Sequence, residues 1–136
     1  MTLKLIEKYR LDSFGSVDGS PMINYNIILD DTVIGYIDLS LSLKAEDYCY
    51  GHIGYAIFED FRGHHYARQA CEQLLKIIAE NNLLSEVIIT ASPHNIASIK
   101  TIEALKAEYL ETIKLPFLHE LSLRGEGIKR IYRIKV

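Results

Sequence analysis

The sequence predicts a single α/β (α+β) domain over residues 1–136: a mixed β-sheet of about seven strands flanked by helices, in the order β-β-β-β-α-β-α-β-β. Three observations predict it. Short runs rich in Ile, Leu, Val and Tyr recur along the chain, separated by Gly-, Asp- and Ser-containing turns. Two stretches carry helical periodicity instead, one starting near residue 63 and one after Asn95. Between those helices lies SEVIITA (85–91), whose β-branched content marks a strand.

Each element follows from its residues. LKLIEKYRL (3–11) reads as a strand, and DSFGSVDGSP (12–21) as a loop. Residues 22–29 and 33–43 form two strands around Asp30-Asp31-Thr32, a hairpin. A polar turn (44–47) precedes a strand over 48–58. The next helix, 63–81, places Ala67, Ala70, Cys71, Leu74, Leu75 and Ile78 on one face and ends near Asn81-Asn82. Pro93 keeps the second helix from starting early, and Asn95 caps it over 96–106. Strands over 108–115 and 128–135 follow, joined by a loop with Pro116, Gly125 and Gly127. The early hairpins should be antiparallel, and the central β-α-β unit a right-handed parallel crossover.

Composition narrows the function. The chain is 49% hydrophobic and 24% charged, ordinary for a globular protein, and contains no apolar run of membrane-spanning length. The charged start, MTLKLIEKYR, has no secretory apolar region. Cys49 and Cys71 make no CxxC or metal-spaced set, so a reducing, cytoplasmic setting and no metal are expected. A net charge of -3 argues against nucleic acid as a partner.

Within that mildly acidic chain, GHIGYAIFEDFRGHHYARQA (51–70) stands out. A strand runs into a basic, glycine-containing turn and then directly into a helix. The first helical N–H groups lack intrahelical partners, and the macrodipole adds positive character there. With Arg62, His64, His65 and Arg68 around it, this turn is an anion site suited to a small phosphate-bearing ligand.

Arg62, Gly63 and Ala67 resemble the Arg/Gln-x-x-Gly-x-Gly/Ala signature of the GNAT superfamily of acyl-CoA-dependent N-acetyltransferases. His65 stands where that signature usually has Gly. Downstream, ITASPHNIASIKTIEALKAEYLE (89–111) is similar to the family's later strand and helix, with Asn95 and Ser98 matching and Lys106-Ala107 replacing the usual Gly. The motifs cover roughly residues 50–112, and the element order extends the likeness along most of the chain. Residues 12–21 are too short for the two helices the family usually places there to hold the acceptor.

The resemblance implies transfer of an acetyl group from acetyl-CoA to a primary amine in a ternary complex, without an acyl-enzyme. It implies that Arg62, Gly63, His64, His65, Tyr66, Ala67 and Arg68 hold the pyrophosphate, chiefly through main-chain N–H groups. The backbone of Ala56, Ile57 and Phe58 would pair with the pantetheine arm, and Asn95 would lie beside it. An amine must attack uncharged, so a base is useful. His52 is the candidate, with Glu59, Asp60 and Glu46 behind it; an inert, hydrogen-bonded strand histidine is the competing reading. The family's usual acid, a Tyr seven residues after the Asn, is Ile102 here. Ser98 is the candidate substitute, with Tyr66, Tyr109 and Tyr132 further options. Helix capping alone also accounts for Asn95 and Ser98. A homodimer is expected from the family habit. A non-catalytic CoA- or nucleotide-binding module and a dimeric interaction protein are the alternatives, and the acceptor, peptide or small molecule, is open.

Overall fold

Strands β1 (Leu3–Leu11), β2 (Met22–Leu29), β3 (Thr32–Ser40) and β4 (Ile53–Ile57) form an antiparallel sheet in that order. In this computed structural model, residues 2–11 and 21–136 are described; the expected loop over 12–21 lies, apart from Pro21, outside them. After β4 come helix α1 (Tyr66–Glu80), β5 (Glu86–Ala91), α2 (Ile96–Ala104), β6 (Glu108–Lys114), α3 (Glu120–Leu123) and β7 (Ile128–Lys135). A second antiparallel sheet has the order β5-β7-β6. Among the described residues the expected class, order of the main elements and number of strands therefore hold, but the expected mixed sheet does not: the strands form two sheets, both antiparallel. The short helix α3 is additional; its four residues lie in the expected loop, N-capped by His119, whose Nδ1 accepts the Leu121 N–H at 3.1 Å.

The hairpin at residues 30–31 forms because both aspartates adopt positive φ, 46° and 71°, the backbone twist that two-residue hairpin turns need. Alternation then decides the sheet's faces. Ile23, Tyr25 and Ile27 of β2 lie opposite Leu39, Ile37 and Gly35 of β3, and all but the glycine send side chains into the core. Gly35 is required there, since a Cβ would sit 2.2 Å from the Ala56 carbonyl oxygen of β4. Helix α1 covers this face with Tyr66, Ala70, Cys71, Leu74 and Ile78, all buried. Val87 and Ile89 of β5 and Ile99 and Ile102 of α2 complete the same core.

Two expectations change. The strand expected over 48–58 is confined to Ile53–Ile57. Its N-terminal part is a turn, with Tyr50 N–H donating to Asp47 O at 2.9 Å, and Gly51 takes φ 72°. A Cβ on Gly51 would lie 2.7 Å from the Ile88 carbonyl oxygen, so the chain passes β5 at glycine distance. The expected parallel crossover also forms no ladder: β4 and β5 end up in different sheets. They meet through His52, whose N–H donates to Ile88 O at 2.7 Å and whose Nδ1 accepts Ile88 N–H at 2.9 Å. Beside this clamp, the Thr90 hydroxyl donates to Cys49 O at 2.8 Å. From the clamp onward the strands separate.

Candidate functional site

The separation of β4 from β5 leaves one edge of β4 open. Phe58 N–H donates to Ile34 O at 2.8 Å, and Ser40 N–H donates to His52 O at 2.8 Å. Antiparallel pairing alternates, so the His52 carbonyl and the amides of residues 54, 56 and 58 turn to β3, while Tyr55 and Ile57 turn theirs the other way. Of the three backbones expected along the ligand, only that of Ile57 faces the open side. Ala56 and Phe58 have their N–H groups turned to β3, and Tyr55 is the other residue of β4 whose amide faces the open side.

The open edge borders a cleft of about 410 Å³ lined by Tyr55 and Ile57 of β4, the turn residues Arg62, Gly63 and His65, the start of α1 and one side of α2. From α1 come Tyr66, Ala67 and Arg68; Asn95 and, on α2, Ser98, Lys100 and Thr101 face them. Most of the sequence-predicted ligand residues are thus gathered on one cleft. Ala56, Phe58 and His64 are not among its lining, and the His64 ring lies 5.3 Å from that of Tyr66.

The start of α1 is shaped for an anion. Gly63 has φ 88° and His65 φ 62°, so the turn is left-handed at both positions. That explains why glycine is usual where His65 stands: a side chain there works against the left-handed backbone. The helix accordingly begins at Tyr66 rather than at residue 63. His65 gives no side-chain cap, and the first turn holds no acidic residue. The first intrahelical bond runs from Gln69 N–H to His65 O at 3.2 Å, so the N–H groups of Tyr66, Ala67 and Arg68 precede the helical ladder. Arg62 folds back and donates from Nε to Ile57 O at 2.9 Å, tying the turn to the end of β4. Arg68 pairs with Glu72 at 2.8 Å on the exposed face.

Across the cleft, Asn95 Oδ1 accepts Ser98 N–H at 3.1 Å, the expected helix cap. The Ser98 hydroxyl does something the sequence did not announce: its Oγ lies 2.8 Å from Tyr55 Oη. These residues are 43 apart in sequence, so no spacing rule links them. Burial raises the Tyr55 phenol above its ordinary pKa, opposed by the hydroxyls of Ser98 and Thr101. Of the other tyrosines considered, Tyr66 lines the cleft but is buried in the core. Tyr109 and Tyr132 stack edge-on in the second sheet beneath Arg130 and do not line it.

His52 is the main departure. It is half-buried, outside the cleft lining, and its Nδ1 lone pair accepts the Ile88 N–H. The neutral ring then carries its hydrogen on Nε2, so neither nitrogen can take a proton from an amine without breaking the clamp. Burial also lowers its pKa, against a raising influence from Glu86. The geometry favours the competing reading, a hydrogen-bonded strand histidine: His52 joins the two sheets. Cys71 is fully buried, its thiol pushed up to about 12 by burial, which fits core packing rather than nucleophilic work.

A second hollow, about 330 Å³, is lined by Ser40, Ser42, Asp47, Tyr50, Gly51 and Glu120 among others. The Tyr50 phenol donates to the Glu120 carboxylate. The chain passes from this hollow at Gly51 to the cleft at Tyr55 through the His52 clamp.

The family model of the acetyltransferase (GNAT) domain matches residues 2–108. The chain belongs to the GNAT acetyltransferase family. Among solved structures, RimL, the ribosomal L7/L12 alpha-N-protein acetyltransferase, in complex with coenzyme A superposes with a TM-score of 0.68 at 16% identity, over 85% of this chain and 62% of that one. Mycobacterium smegmatis RimJ in complex with CoA-disulfide gives 0.70 at 17% identity, over 85% and 53%. The microcin C7 self-immunity acetyltransferase MccE with acetyl-CoA and AMP gives 0.66 at 15%, over 85% and 61%. These likenesses concern the fold, and this GNAT chain spans less than two thirds of the length of each. No curated protein matches the sequence.

Proposed function

We propose that this GNAT domain transfers an acetyl group from acetyl-CoA to a primary amine by direct attack in a ternary complex. The observation that carries the reading is the open edge of β4, meeting the uncapped start of α1 in one cleft. The coenzyme's pyrophosphate fits the N–H groups of Tyr66, Ala67 and Arg68, with Gly63 and His65 shaping the turn. Arg62, Arg68 and Lys100 add positive charge around the cleft. The amides of the pantetheine arm pair with the exposed edge at Ile57 and Tyr55, as an added strand would. An edge N–H there also suits the oxyanion of the tetrahedral intermediate. Ser98 lies beside the path of the leaving sulfur.

Solved relatives support the coenzyme: RimL and RimJ are complexed with forms of CoA, and MccE with acetyl-CoA. The acceptor belongs on the far side of the clamp, where Asp47 and Glu120 suit a cationic amine. RimL is described as acting on a protein α-amino group and MccE confers self-immunity to a microcin, so peptide and small-molecule amines are both to be tested. The buried, unpaired Cys49 and Cys71 suit a reducing, cytoplasmic setting. The edge position of β6 suits pairing with a second copy in a homodimer.

Calorimetric titration with acetyl-CoA, CoA and ATP tests the site. Binding of both CoA forms and not ATP is the expected result, followed by a thiol-release screen of amines. Absence of binding by either CoA form overturns the reading. Binding without turnover over a panel of peptide, polyamine and small-metabolite amines would leave a coenzyme-holding module.

A further inference from the structure

Tyr55, Ser98 and Thr101, three hydroxyl-bearing residues from two elements, line one cleft. Tyr55 shares the inward face of β4 with Ile57, and Ser98 and Thr101 are neighbours one helical turn apart on α2. Tyr55 Oη and Ser98 Oγ are 2.8 Å apart, and Thr101 lines the same stretch of the cleft. A hydroxyl has one hydrogen to give and lone pairs with which to receive. The direction of the chain therefore decides what the cleft is offered. If Ser98 donates to Tyr55, its hydrogen is turned away. If Tyr55 donates to Ser98, the Ser98 hydrogen is released towards the cleft. A developing negative charge in the cleft selects the second direction, and burial keeps Tyr55 a protonated donor beyond its ordinary range.

We propose that Tyr55 is a positioning residue that, by donating to Ser98 Oγ, aims the Ser98 O–H at the coenzyme sulfur as it leaves. The inference rests on the acyl-CoA reading above. When the C–S bond of the tetrahedral intermediate breaks, its electron pair passes to sulfur and the carbonyl reforms. Ser98 donates a hydrogen bond to the new thiolate, and no proton leaves Tyr55. The proton given up by the amine balances the one the thiolate later takes from solvent. A thiol pKa of about 8.5 makes such assistance sufficient without full transfer. The tyrosine that usually serves as acid in this family is Ile102 here, buried in the core.

The test needs no acceptor. CoA carries the thiol and acetyl-CoA does not, so the ratio of their affinities isolates the sulfur. Arg62, Arg68, Lys100 and His65 around the cleft act alike on the phosphates of both ligands, and any pull they exert on the thiolate is common to the native protein and the variants, so the comparison between proteins isolates Tyr55 and Ser98. The ratio is measured by calorimetry from about pH 7 to about pH 9.5, across the thiol's titration. In the native protein, CoA should gain on acetyl-CoA by about tenfold as the thiolate forms, equivalent to a one-unit fall in the bound thiol's pKa. Tyr55→Phe and Ser98→Ala should each remove most of that gain, and the double variant little more, because both act through one hydrogen bond. Tyr55→Phe preserves the ring, and Ser98→Ala, at a half-buried site, supplies the same reading should the phenylalanine variant not fold. An identical pH profile in the native protein and either variant overturns the inference and leaves the acyl-CoA reading standing. Failure of both ligands to bind the native protein overturns both.

Discussion

The Nδ1 of His52 accepts the backbone N–H of Ile88 at 2.9 Å, and the Ile88 carbonyl accepts the His52 N–H at 2.7 Å. A side chain thus takes over one half of a strand-pairing bond at the point where β4 and β5 part. Without it, the buried Ile88 N–H would lack this partner. His52→Ala should lower unfolding stability by about 1–3 kcal/mol, the cost of stranding a buried donor. His52→Asn, whose side-chain oxygen can reach the same N–H, should recover much of that. Chemical denaturation checks both. Acyl transfer measured well below the melting range should survive His52→Asn; loss of turnover with full stability would restore His52 to the chemistry.

The same bond sets a pH dependence. Burial lowers the folded-state pKa of His52, so the unfolded chain takes up this proton first as pH falls. The contribution of His52 is complete above its unfolded pKa of about 6.5 and is lost as pH falls through the lower folded value. Protonation would also turn Nδ1 into a donor facing the Ile88 N–H. Denaturation between about pH 7.5 and about pH 5 should show stability falling more steeply in the native protein than in His52→Asn. Equal slopes would mean that the clamp is not titrating.

His65 holds φ 62° at the position where glycine is usual in the family signature. Relieving the side chain's conflict with that backbone should stabilise the fold, so His65→Gly is expected to gain about 1 kcal/mol. Because the phosphate donors are main-chain groups, CoA affinity should be kept or improved. A thermal shift and a CoA titration on the same sample decide this. A large fall in affinity would show that the imidazole itself binds the ligand.

Gly63, at φ 88°, makes the opposite case. Proline fixes φ near -65° and removes the N–H, so Gly63→Pro should abolish the turn and most CoA binding. A Cβ there meets open space, so Gly63→Ala carries only the backbone penalty, about 1 kcal/mol. Unchanged CoA affinity in the proline variant would place the anion site elsewhere.

Local chemistry made much of this fold legible. The aspartate pair of the first hairpin, the apolar face of α1 and the Asn95 cap were readable because each depends on residues within a turn or two of one another. The end of β4 was not. Its apolar residues look like a longer strand, and only the passage of Gly51 against Ile88 shows why pairing starts late. The parting of β4 and β5 was hidden for the same reason: a histidine replacing a ladder bond leaves no periodic trace. In the site, the basic turn announced itself, since glycine and cations beside a helix start are a local signal. Which β4 amides face the cleft depended on register with β3, and the Tyr55–Ser98 contact on how α2 packs, neither of which residue spacing encodes.

Asn95 separates a capping role from a ligand role. Its Oδ1 is engaged by the Ser98 N–H at 3.1 Å, yet the residue also lines the cleft. Asn95→Ala should cost about 1 kcal/mol of stability through the lost cap. Asn95→Asp keeps an oxygen at the same place and favours the positive helix start, so its stability should match the native value. It also brings a negative charge to a cleft that receives phosphates, so its CoA affinity should fall several-fold and recover with added salt. Asn95→Ser keeps the cap without the charge and should bind CoA as the native protein does. If the serine variant is stable yet loses CoA, the amide itself must contact the coenzyme, and capping is only part of what Asn95 does.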